Sequence, residues 1–190
     1  STSRRQRQMC IRDRKWLADP AEEPEPFGDG GTKMAWNTFN VVSIYPNGNP
    51  VMSDVNQRWV GDCCACAVIA SMAYLYPRFV KHIIKDNMDK TYTVTMYDPK
   101  GKQISVGVGG DYFIGNSGDL GALGGRNKEV TWATILEKAM IKWNQIYQGS
   151  SNVGGIGTEY VSAIFTGDGE SVGFGANALI AEDLQRAVEV

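Results

Sequence analysis

Histidine is nearly missing from this chain: His82 is the single one among 190 residues. Imidazole chemistry would have to use that residue or a group outside the sequence. An excess of charge of one sign is missing too. Nineteen Lys and Arg stand against 21 Asp and Glu, a net charge of −2. That balance gives no electrostatic footprint for nucleic acid or an anionic membrane. No apolar run is long enough to span a bilayer, so no membrane segment is expected. Ser1 to Lys15 is basic and polar, with no apolar core of a signal peptide. The compartment stays open between cytoplasmic and secreted after signal removal. Internal repeats are absent.

Cysteine is scarce and oddly placed. Cys63, Cys64 and Cys66 lie within four residues, and Cys10 is the only other one. Such close neighbours rarely meet disulfide geometry, so no disulfide framework is expected. Cys-Cys-x-Cys lacks a second Cys or His group to complete four metal ligands. Cys64 and Cys66 read as small buried residues of a packed helix.

What is present suits a soluble globular domain large enough to bury a core. The 22 glycines gather in 107–125 and 149–175, which predicts loop-rich regions there. Residues 1–32 read as a flexible arm. Met9 to Arg14 resembles translated adapter sequence, so part of 1–15 is set aside as non-native. Residues 18–32 are acidic and Pro/Gly-rich, as in linkers. Residues 33–190 read as one core unit.

Within it, 36–45 suggests a short strand. The run 63–76 predicts a helix, apolar nearly all round and therefore central and buried, with Asp62 as its N-cap. A second helix is expected over 78–85. The alternating segment 91–97, the turn Asp98-Pro-Lys-Gly101 and 103–108 predict a β-hairpin. Helical spacing of Trp132, Ile135, Leu136, Ala139, Met140 and Trp143 predicts a strong helix. Shorter helices are expected over 159–165 and 180–190. The class is α+β.

The chemistry concentrates in Gln57-Arg-Trp-Val-Gly-Asp-Cys63. A cysteine opening a helix meets unpaired backbone N–H groups and the positive end of the macrodipole, which favour a thiolate. A glutamine amide just upstream can help hold an oxyanion. Gly61 allows close backbone approach. Against this, Cys63 could be a small structural residue and Gln57 an ordinary loop glutamine. His82, flanked by Val80, Ile83, Lys81 and Lys85, reads as a partly exposed structural histidine. Trp59, Trp132 and Trp143 read as packing residues.

Together these residues resemble the calpain-type, papain-like cysteine peptidases. Gln57, Gly61, Asp62 and Cys63 match that family's Gln-Gly-x-x-Gly-Asp-Cys-Trp in identity and spacing. Arg58 replaces the usual glycine and Cys64 the usual tryptophan. Trp132-Ala-Thr-Ile-Leu-Glu-Lys-Ala-Met-Ile-Lys142 is similar to the family's Trp-x-x-Leu-Leu-Glu-Lys-Ala-Tyr-Ala-Lys, with Tyr147 and Gly154-Gly155 following. The likeness covers roughly 50–170.

It implies the Cys-bearing subdomain of the papain-like fold, with Cys63 as nucleophile and Gln57 in the oxyanion hole. The family's His and Asn motifs, Gly-His-Ala-Tyr and Asn-Pro-Trp, do not occur, and are expected beyond Val190. The implied activity is endoproteolysis of protein or peptide substrates through an acyl-enzyme, with this chain alone inactive. No cofactor is required. Calcium is a further implication, through Asp54 and Glu137, although ordinary solvated carboxylates are the commoner reading. The rival is a non-catalytic calpain-like binding or scaffold module. A Cys-x-Cys metal or redox protein ranks lowest.

Overall fold

A computed structural model of the chain describes residues 14–27, 34–115 and 117–167. Cys10 and the helix expected over 180–190 lie outside them. In chain order come β1 (Ala35–Thr38), a 3-10 turn (Met52–Asp54), α1 (Cys63–Leu75), α2 (Pro77–Ile83), β2 (Ile84–Asp86), β3 (Tyr92–Tyr97), β4 (Gln103–Val108), β5 (Asp111–Ile114), α3 (Trp132–Gln148) and α4 (Thr158–Thr166). The chain is α+β, as expected.

The central helix is α3. Every residue from Trp132 to Asn144 is buried. Thr131 caps it, its N–H bonded to Thr134 Oγ1 at 2.9 Å, and Gly149 ends it at φ 74°, the left-handed geometry that suits glycine. Ile135, Leu136, Ala139 and Met140 are sealed completely. Fully burying one such aliphatic side chain stabilises a fold by about 1.5–3 kcal/mol. β4 and β3 lie along one side of α3, and α1 along another.

The expectation of a central, wholly buried α1 is corrected. Only Ala65, Ile69, Met72 and Ala73 are buried in it. The opposite stripe, Cys63, Ala67, Ser71, Tyr74 and Leu75, is exposed. Uniform apolarity says that a helix is sticky, but not which face finds a partner. Here α4 and α2 cover one side only. Tyr76, the last residue of the expected helix 63–76, is 63% exposed.

The expected hairpin is present. β3 and β4 pair antiparallel from Tyr92↔Val108 to Tyr97↔Gln103. β2 adds to the free edge of β3, so the second helix stops at Ile83 rather than Lys85. A separate two-stranded sheet joins β1 to β5, with Trp36 opposite Phe113 and their rings stacked at 3.9 Å. β1 is shorter than the 36–45 segment that the sequence suggests.

The linker-like segment is a packed strap over its described part. In 14–27, Leu17 is 1% exposed. Lys142 Nζ, deep in α3, donates to Asp19 O and to Gly107 O, both at 2.8 Å. Lys138 Nζ pairs with Glu23 at 2.6 Å. A Cβ on Gly107 would lie 2.5 Å from Ala18 O, so glycine there lets the strap lie directly on β4. An acidic, proline-rich composition reads as linker when the cations that seat it are far away in sequence.

A candidate thiol nucleophile site

The loop carrying the expected nucleophile is stitched to the glycine-rich loop that precedes α3. Asn56 N–H donates to Gly124 O and Trp59 N–H to Gly121 O, both at 3.0 Å. Arg58 donates from its guanidinium to Gly125 O at 2.5 Å. The glycines allow this approach: a Cβ on Gly124 would sit 2.5 Å from Glu129 O. Residues 56–60 therefore hold a fixed path into α1.

Cys63 is the first residue of α1 and is exposed. Asp62 occupies the N-cap position, yet its side chain makes no capping bond. It turns inward instead and is 0% exposed. The first-turn N–H groups of α1, which have no intrahelical acceptor, are thus left without a side-chain cap. They and the helix dipole favour negative charge beside Cys63.

The other two cysteines differ. Both are partly buried. Cys66 Sγ donates to Asp62 Oδ1 at 3.5 Å. Burial, then the nearby Asp62 and Glu137 carboxyls, push its thiol far up from the ordinary range. Cys64 is also pushed up, by burial first and then by Cys63 next to it.

Gln57 lies in the same loop. Its Nε2 donates to Val60 O at 2.9 Å. That bond ties the amide to its own loop and leaves its second N–H for another acceptor. Gly154-Gly155 comes to the same turn: Gly155 N–H donates to Gly61 O at 3.3 Å. A recess of about 290 Å³ on the other side of Gly154-Gly155 is lined by Trp143, Gln148, Asn152 and Tyr160, and by no residue of the 56–63 loop.

His82 is not brought to Cys63. It is exposed on α2, beyond the far end of α1, and α2 bends from α1 by 112°. The 13 residues of α1 rise about 1.5 Å each, so its two ends are roughly 20 Å apart. The short, partly reversed α2 recovers little of that separation.

No family model and no curated protein sequence matches this chain. The site therefore has to be read from its own geometry.

The two calcium candidates are engaged by different partners. Asp54, 2% exposed, accepts from Trp132 Nε1 at 2.7 Å and Asn47 Nδ2 at 2.8 Å. Val51 N–H donates to it at 3.3 Å. Hydrogens thus point at both Asp54 oxygens, which disfavours a cation in their place. Glu137 accepts from Leu123 N–H at 2.9 Å and meets Asp62. Among the described residues, no group of three or more His, Cys, Asp or Glu is arranged to hold a metal ion. The donor set does not fit calcium, and both residues act as internal anchors rather than solvated carboxylates.

A groove that the sequence reading missed runs down from this site. Ala67, Val68, Ser71, Leu75 and Phe79 face Ser162 and Thr166 across about 610 Å³. The missed signal was the spacing Cys63, Ala67, Ser71, Leu75. It marks one face of α1, and small residues there can admit a neighbour closely.

Proposed function

We propose that this chain carries the nucleophile half of a calpain-like cysteine endopeptidase, and that Cys63 is the attacking thiol. One observation carries the reading: of three clustered cysteines, the one at the uncapped helix start is the exposed one, while Cys66 turns toward a buried carboxyl. The Cys63 thiolate would attack a peptide carbonyl, forming a tetrahedral intermediate and then a thioester. The oxyanion would be held by the Cys63 backbone N–H and the free N–H of Gln57. Losing one such donor costs about 10²–10³ in rate.

A base and general acid are still needed to deprotonate the thiol and protonate the leaving amine. His82 stands too far away, so these groups would come from a segment outside the sequence. The exposed apolar stripe of α1 below Cys63 suits the packing of such a second subdomain. Alone, the chain would not turn over peptides.

The distance of His82 also favours the second reading, a calpain-like module that binds without catalysis. A peptidyl electrophile separates the two. With the protease reading, it labels Cys63 at least tenfold faster than Cys64 or Cys66, and Gln57→Ala slows that labelling while leaving reaction with plain iodoacetamide unchanged. Equal labelling of the three thiols, or no response to Gln57→Ala, would refute the nucleophile assignment.

A further inference from the structure

Asp62 and Glu137 are two neighbouring buried acids, and among the described residues no base acts on either. Asp62 precedes α1 and is 0% exposed; Glu137 sits midway along α3 and is 1% exposed. The two carboxyl groups are near enough to act on each other's charge. The Asp62 Oδ1 has only the weak Cys66 thiol donor, at 3.5 Å. The Glu137 Oε2 has the Leu123 N–H. Asp62 Oδ2 and Glu137 Oε1 are sealed from solvent, and among the described residues no hydrogen-bond donor reaches them.

Among the described residues, no cation is recorded acting on the pair. From α1 the group facing the pair is the Cys66 thiol, and from the loop before α3 it is the Leu123 backbone. The buried cations of α3, Lys138 and Lys142, are turned to the strap, β4 and β5. Two adjoining carboxylates in a dry interior cannot both stay ionised. A proton between them gives the two orphaned oxygens a charge-assisted O–H···O⁻ bond, stronger than a neutral one.

We propose that Asp62 and Glu137 share one proton, and that this acid pair is the positioning element fastening the first turn of the Cys63 helix to α3. It explains why the residue at the N-cap position leaves its cap. The carboxyl is worth more as one half of a buried pair. The inference concerns how residue 62 is held and does not depend on peptidase chemistry.

Burial raises both acids, Asp62 to about 6 and Glu137 well above its ordinary value. The folded state therefore holds a proton that the unfolded chain releases near pH 4 to 4.5, and stability falls as pH rises through and above about pH 4–6.

The test is infrared spectroscopy of the whole chain with unfolding measured across pH. The wild type should show a buried, protonated carboxyl C=O band at neutral pH. Glu137→Gln, whose amide can donate to Asp62, should lose the band, flatten the fall of stability with pH, and keep amide exchange slow over residues 62–66. Glu137→Ala should raise that exchange about tenfold or more. If the wild type shows no protonated carboxyl band, if Glu137→Gln keeps the wild-type pH slope, or if the Gln and Ala variants exchange alike, the proposal is overturned. None of these readouts involves Cys63 reactivity, so they fail or hold separately from the nucleophile assignment.

Discussion

Asp54 shows how a side chain changes meaning between sequence and structure. The resemblance to calpain-type peptidases implies a calcium ligand there; its hydrogen bonds make it an anchor for the Trp132 indole and the 47–54 turn. Asp54→Ala should lose about 2–4 kcal/mol, because it strips a buried donor of its acceptor. Urea unfolding measures this, and an unchanged midpoint would contradict it. Lys142 offers a second residue-level test. Burial lowers its pKa from 10.5 to about 8. Between those values the unfolded chain binds more protons than the folded one, so this residue makes stability rise with pH from about 8 to 10.5. Lys142→Met should remove that rise. An unaltered alkaline profile would show that the ammonium is not desolvated.

Patterning exposed some elements clearly and hid others. The β3–β4 hairpin, α3 and α4 could be read in advance, since their signals are local: strict alternation around a turn, or apolar residues at helical spacing. The β1–β5 sheet could not, because its partners are separated by the whole of α1 to β4. The strap was hidden for a related reason. Lys138 and Lys142 would ordinarily belong to a solvated helix face, and only the fold shows that they meet Glu23 and the Asp19 carbonyl. The close approach at Gly107 gives a direct test. Gly107→Ala would press a methyl group against the Ala18 carbonyl and should destabilise by about 1–3 kcal/mol. It should also speed proteolytic nicking within 14–27. Wild-type stability and nicking would mean that the strap does not lie against β4 in solution.

At the scale of the molecule, the site divides into what the chain holds and what it would have to receive. The loop before α1, the uncapped start of α1 and the Gly154-Gly155 turn come together around Gly61, all within 56–66 and 152–158. Gln57, Gly61, Asp62 and Cys63 marked the loop and the helix start in the sequence; the approach of Gly154-Gly155 to Gly61 was not legible there. Nor was the inward turn of Asp62, since a sequence shows a capping residue type without showing which neighbour competes for it. The exposed stripe of α1 was not legible either, because a helix apolar nearly all round does not show which of its faces finds a partner. An activated ester needs no general acid to expel its leaving group, so it isolates the half-reaction this chain could perform. The most direct measurement is intact-mass and peptide-mapping analysis after reaction with such an ester. The account predicts one acyl group per chain, held as a thioester on Cys63 and only slowly released, with His82→Ala behaving like wild type. Acylation centred on another residue, or repeated turnover abolished by His82→Ala, would contradict it.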